Sequence, residues 1–298
     1  MVTIFMTNET IKIMDAIYNN GKLRVAYTGV FPLPPDCIDD GEILEPQTLK
    51  DIIAKLPADC KKRLREVKLI IDSHHFPLSR MVVPKLSESK TRKYIQGEYS
   101  NRFDDDENIL YDYMVLDVKG KGQTILATAV SEAYIDSYLE IFESQKIKVV
   151  SIDFDVATVI AFAMVGITPL QENCLMVSLD GEYLSVYLFI RGEYYYLISK
   201  KADAKRGTPD FYEEVTNAIS TMTQYSYVET RGESLERIYL ISINNAEIDA
   251  LDELSEFFGQ AVGLDTVKMS PKYAGIIPKG NKAFEMAQFV HNIGATVE

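Results

Sequence analysis

Residues 2–31 consist of short apolar runs broken by tight polar turns, which predicts strand, turn, strand, turn, strand. Ile11-Lys12-Ile13-Met14 leads to Tyr18-Asn19-Asn20-Gly21, and Leu23-Arg24-Val25-Ala26-Tyr27 leads away. Asn20-Gly21 tolerates the positive φ values of a two-residue hairpin turn, so these strands are expected to pair antiparallel. Residues 174–200 repeat the plan, with Asp180-Gly181-Glu182 between two apolar runs. Elsewhere the apolar period lengthens to that of a helix. Leu49, Ile52, Ile53 and Leu56 share one face of a helix over 47–56, and Tyr134, Tyr138, Leu139 and Phe142 share one face of a helix that Ser131 is placed to cap.

Between those helices, 67–72 and 79–83 read as strands, 87–98 as a charged helix, and 109–117 and 124–130 as a strand pair. Residues 67–145 are therefore expected to form a small inserted α+β subdomain. A strand over 147–152 follows, then Asp153-Phe154-Asp155, then a helix over 156–165 that is apolar on every side, as an interdomain helix would be. Pro209 opens a long helix to about Val228, 237–241 is a strand, and helices are expected over 248–257 and 283–293. The expected parts are 1–66 with 146–170, then 67–145, then 171–298, the last helix packing back between the halves.

Composition narrows the function classes. The chain has 298 residues, 47% hydrophobic and 25% charged, which suits a globular protein of one large or two medium domains. Its net charge of −13 argues against nucleic acid, whose phosphates require a cationic face. The acid-rich stretches 36–45 and 104–107 lack the spacing and turn glycine of a calcium loop. Cys37, Cys60 and Cys174 are far apart, so reduced thiols are expected and a zinc cluster is not. His74 and His75 are expected to point to opposite faces of a strand in a structural or surface role. No stretch approaches the roughly 20 apolar residues needed to span a bilayer, and no signal peptide is visible, so a cytoplasmic protein is expected.

Four segments resemble PilM, the cytoplasmic actin-like component of type IV pilus assembly, which is related to the cell-division protein FtsA and to the cytoplasmic domain of the secretion protein GspL. In the opening 3–14, Ile11-Lys12-Ile13 is similar to the end of that family's I-D-I-G-S-S-S-I-K-V. Asp40-Gly41-Glu42-Ile43 precedes the first helix. Within 127–161, Lys148-Val149-Val150-Ser151-Ile152-Asp153-Phe154-Asp155 is similar to the family's V-D-v-E turn. The second meander, 174–192, is the fourth. Order and spacing carry the likeness over nearly the whole chain. It implies an α/β, actin-like (ribonuclease H-like, duplicated) fold.

In ATPases of that fold each meander opens with an Asp and a Gly that hold Mg²⁺ and the nucleotide phosphates. The matching positions here are Phe5 and Thr7 in the first copy and Ser178 and Asp180 in the second. Phe5 offers no ligand atom, Thr7 restricts backbone approach, Ser178 carries no charge, and Asp180 brings a negative charge to where an anion would sit. The Gly-Gly expected after strand 237–241 reads Ser242-Ile243-Asn244-Asn245, and only a short link joins Lys200 to Phe211. ATP is therefore disfavoured, and no cofactor, metal or catalytic residue is expected. Asp155 is read as a helix cap, Asp153 as facing solvent or a backbone donor, and Lys12 as an exposed strand residue.

The resemblance implies a non-enzymatic adaptor that binds the cytoplasmic N-terminal tail of a PilN-like inner-membrane protein, alongside other pilus components, and sits peripherally on the inner face of the membrane through that partner. The expected groove involves Met81, Val82, Val83 and Pro84, the helix carrying Tyr94, and the turn with Asp153 and Asp155. The alternatives are an actin-like ATPase or sugar kinase with misaligned motifs, and an FtsA-like self-associating protein.

Overall fold

The computed structural model describes residues 1–72, 74, 76–100, 102–103, 108–166, 171–244, 266–268, 277–280 and 285–297. The chain opens with the expected meander, β1 (Val2–Met6), β2 (Thr10–Asn19) and β3 (Lys22–Pro32), followed by the short pair β4 (Ile38–Asp39) and β5 (Glu42–Ile43). Next come α1 (Pro46–Lys55), α2 (Ala58–Lys61), β6 (Glu66–Ile71), β7 (Leu78–Pro84), α3 (Glu88–Tyr99), β8 (Ile109–Lys119), β9 (Gly122–Ser131) and α4 (Glu132–Ser144). Then β10 (Lys148–Phe154) runs directly into α5 (Asp155–Gly166). The second meander is β11 (Cys174–Asp180), β12 (Tyr183–Ile190) and β13 (Glu193–Lys201), followed by α6 (Pro209–Glu229), β14 (Arg237–Ile241), β15 (Thr266–Lys268) and β16 (Ile277–Gly280). A 3₁₀ turn at Met286–Phe289 leads into α7 (Val290–Val297). The helix expected over 248–257 lies outside the described residues.

The two halves share a strand order. The first sheet runs β10-β6-β1-β2-β3-β16, and the second runs β13-β12-β11-β14-β15. In each, the first strand pairs antiparallel with the second and parallel with the fourth. The turns match as well. Asn20 and Gly21 join β2 to β3 at φ 49° and 71°, and Arg191 and Gly192 join β12 to β13 at φ 52° and 75°. Positive φ at both positions gives the turn twist that strand pairing favours.

A three-stranded sheet, β7-β9-β8, stands apart with α3 against it. This insertion is narrower than the 67–145 segment expected from sequence. β6 pairs with β1 and β10, register Val2↔Val67 and Val149↔Val67, and so is a central strand of the first half. On α4, Tyr138, Ile141 and Phe142 pack with Leu49, Ile53, Leu69 and Ile71 in the first-half core. Tyr134 and Tyr138 both donate to the Gly41 carbonyl, at 2.7 and 2.6 Å, fastening α4 to the β4–β5 turn. Ser131 precedes α4 as expected, but its side chain makes no capping hydrogen bond.

Behind the first sheet, α5 and α7 form a layer whose apolar residues merge with those of the second sheet: Val156, Val159, Ile160 and Phe162 share one cluster with Leu175, Val177, Leu188 and Ile293. Each such fully buried side chain contributes about 1.5–3 kcal/mol, so this seam holds the halves together. The helices touch closely. A Cβ on Gly294 would lie 1.9 Å from the Thr158 carbonyl oxygen, so only glycine fits. Among the described residues no helix is long and apolar enough to cross a membrane, and the three cysteines are buried and free.

Candidate functional site

The seam ends at the four positions that the sequence equates with a phosphate grip. Phe5 is buried beside Ile70 and Ala295, and its ring packs on His291 of α7 at 4.3 Å between centroids. Thr7 closes a local turn, its Oγ1 accepting from the backbone N–H groups of Glu9 and Thr10 at 3.3 and 3.1 Å. Ser178 Oγ donates to Ser242 Oγ at 3.1 Å, and Ser242 N donates to the Ala287 carbonyl at 2.7 Å, tying β11, the end of β14 and the 3₁₀ turn together. The first and second turns meet: a Cβ on Gly181 would lie 2.2 Å from Asn8 Oδ1.

Lys12 corrects the reading of an exposed strand residue. Its side chain is 5% exposed, and its Nζ donates to Asp180 Oδ2 at 2.8 Å. Burial opposes the charge on Asp180, but the Lys12 ammonium, with His291 and Arg206, holds its pKa below the usual carboxylate value. The negative charge expected to repel an anion is therefore already balanced, and the balancing cation is drawn from the opposite meander. Nearby, Thr158 Oγ1 donates to the Asp155 carbonyl at 2.7 Å, so His291 Nδ1, 3.1 Å away, must donate to Thr158 Oγ1. Burial pushes the His291 pKa down, against the pull of Asp180 and Asp155. Asn292 Nδ2 reaches Thr3 O, Thr3 Oγ1 and Lys12 O at 3.1–3.3 Å, so α7 reads the first hairpin through hydrogen bonds as well as packing.

Asp155 lies in the first turn of α5 and is buried. It is not alone. Asp72, just past β6, and His74, in the turn that follows, bring a carboxylate and an imidazole to it. Burial, then the charge of Asp155, raises the Asp72 pKa well above its usual value. His74 sits in this turn and not in the expected strand, stacked on Tyr183 with centroids 3.8 Å apart. His75 lies outside the described residues.

Phe154 and Ala157, on either side of Asp155 in the chain, line a groove of about 290 Å³ between the insertion and the first half. Asp112, Tyr113, Met114 and Val115 of β8 form one wall, Ile152, Asp153 and Phe154 of β10 the other, with Leu126 and Ala157 between. β8 is an edge strand of the three-stranded sheet and β10 an edge strand of the six-stranded sheet. Thr128, the cross-strand partner of Asp112, and Leu78, paired in turn with Thr128, add part of the smaller sheet's face to the lining. Of the residues expected to meet a partner, Asp153 lines this groove. Met81, Val82, Val83 and Pro84 lie on β7 at the opposite edge of the insertion, where Val82 is 72% exposed and Val83 is buried, and Tyr94 is 41% exposed on α3. Sequence reasoning missed Met114 and Val115, because an amphipathic strand does not announce which of its edges faces a groove. A second cavity, about 770 Å³, is lined by Gly181, Lys201, Arg206, Phe211 and Asn244.

No family model matches the chain, and no curated protein matches its sequence. Among solved structures it is similar to the PilM-PilN type IV pilus biogenesis complex, with a TM-score of 0.78 at 15% identity over 100% of this chain and 98% of that one. It is also similar to the cytoplasmic domain of EpsL, an inner membrane component of the Vibrio cholerae type II secretion system, with a TM-score of 0.52, 10% identity and coverage of 100% and 94%. A Bacteroides thetaiotaomicron protein of actin-like ATPase fold and unknown function gives a TM-score of 0.51, 12% identity and coverage of 97% and 93%. The chain thus has the actin-like α/β fold, with full-length architecture similar to that of the PilM-PilN structure.

Proposed function

We propose that this chain is a non-catalytic adaptor of a type IV pilus or related secretion machine, and that it holds the cytoplasmic tail of a PilN-like membrane protein in extended form between β8 and β10. The observation that carries this reading is a groove lined by two edge strands, β8 and β10, in a molecule similar from end to end to the PilM-PilN structure. An extended tail gains main-chain hydrogen bonds along an open edge, while Met114, Val115 and Phe154 take its apolar side chains. Such a partner places the protein on the inner face of the membrane without a spanning segment of its own. A lack of catalysis is supported by the paired Lys12 and Asp180, the apolar Phe5 and the touching turns, which stand at the positions where ATPases of the fold hold metal and phosphate.

The test is fluorescence anisotropy with a labelled peptide of the partner's first ten or so residues. Saturable binding is expected, weakened at least tenfold, about 1.4 kcal/mol, by Met114→Asp and by the groove-filling Ala157→Leu. No binding at ~100 µM peptide, or equal binding by both variants, would overturn the reading.

A further inference from the structure

Asp72, His74 and Asp155 each place one donor atom within 4.8 Å of the other two, giving two carboxylate oxygens and one imidazole nitrogen. Donors around an ion at about 2.1 Å lie up to about 4.2 Å apart, so small side-chain adjustments bring all three into one shell. His74 is already oriented. Its Nδ1 lies 2.8 Å from Ser199 Oγ, its ring stacks on Tyr183, and its Nε2 faces Asp72 Oδ1 at 3.3 Å. An imidazole anchored to an oxygen through one nitrogen, with the other turned toward carboxylates, is how metal-bound histidines are held.

Across the seam, β12 of the second half faces the same three residues. Alternation along β12 puts Tyr183, Ser185 and Tyr187 on one face, the face that His74 stacks on. Among the described residues the fully buried Tyr187 hydroxyl has no hydrogen-bond partner, and burial, with the charges of Asp155 and Asp72, disfavours its ionisation. A hydroxyl so placed suits an oxygen carried in on an ion, such as a bound water.

We propose that Asp72, His74 and Asp155 bind one divalent first-row cation, Mn²⁺ or Zn²⁺ in class, directly through side chains and without a nucleotide. Mixed imidazole and carboxylate donors select such ions over Mg²⁺ and Ca²⁺, which take oxygen ligands. Because His74 rests on Ser199 and Tyr183 of the second half, an ion joining it to Asp72 and Asp155 fixes that contact to the first half. The proposal stands independently of the partner groove.

The test uses full-length protein stripped with chelator and titrated with Mn²⁺, followed by paramagnetic resonance and thermal melting. One equivalent is expected to bind and to raise the melting temperature, with nitrogen modulation from one imidazole that changes when the histidines are ¹⁵N-labelled. His74→Gln should abolish that modulation, and Ser199→Ala should weaken binding roughly 10- to 100-fold. The ¹⁵N-labelled wild type decides the matter without any variant that must first fold. Absence of saturable binding, or nitrogen modulation that persists in His74→Gln, would overturn the proposal.

Discussion

The two meanders are built alike and used differently. In the first, Phe5 of β1 faces Lys12 of β2 across the ladder; in the second, the matching Ser178 faces Ser185. Phe5 has become a packing surface for α7, whereas Ser178 has become a polar link to the end of β14. The first half also carries an insertion between β6 and α4, while the second passes from β13 to α6 through residues 202–208 alone. Duplicated architecture therefore constrains strand order and turn twist, and leaves the residues at the seam free to diverge. What the two copies now share at that seam is each other: an ion pair, a turn-to-turn contact and a helix common to both cores.

The largest effect should come from splitting the ion pair. Asp180→Ala or Lys12→Ala leaves an uncompensated buried charge and should lower stability by about 3–5 kcal/mol, while Lys12→Met with Asp180→Leu should recover most of it. Denaturant unfolding of the three variants checks this, and equal losses in all three would break the view that the copies are joined by charge. The pair also sets an acid limit. The Asp180 pKa is lowered on folding, so its contribution is fully present above the unfolded value of about 3.9 and is lost as pH falls through the folded value. The stability gap between wild type and Asp180→Asn should accordingly narrow below about pH 4.

Next in size is Gly294→Ala, expected to cost about 1–3 kcal/mol because the Thr158 carbonyl cannot step aside. A melting curve like that of wild type would mean that α5 and α7 are not in contact. Gly181→Ala should cost about 1–2 kcal/mol for its left-handed φ of 56°, plus a steric part against Asn8 that Asn8→Ala relieves. A double variant no more stable than the single would remove the turn-to-turn contact. The smallest effect is none at all. Mg-ATP should leave the melting temperature unchanged, whereas a ligand at 100 times its Kd adds about 2.7 kcal/mol.

Both meanders were legible because their turns carry local chemistry: Asn20-Gly21 and Asp180-Gly181-Glu182 punctuate apolar runs wherever the strands end up. The place of β6 was not. Val67, Leu69, Ile70 and Ile71 are all buried, and a strand covered on both faces looks the same in an insertion as in the middle of a sheet. Lys12 was misread for a related reason. Strand alternation shows which face a residue takes, and its partner, Asp180, is 168 positions away. The grouping of Asp72 and His74 with Asp155 is equally non-local, for it depends on β6 and β10 being neighbours.

Asn292 bonds to Thr3 across 289 positions. At 5–20 residues per second, a ribosome needs on the order of 15–60 s to deliver the second member of that pair after the first. Throughout this interval the strip of the opening hairpin that α7 covers, around Thr3, Phe5 and Lys12, stays open, so part of the earliest strands made is among the last to be shielded. A chain wired in this way closes its first sheet late, and its newborn form is the one most exposed to wrong partners.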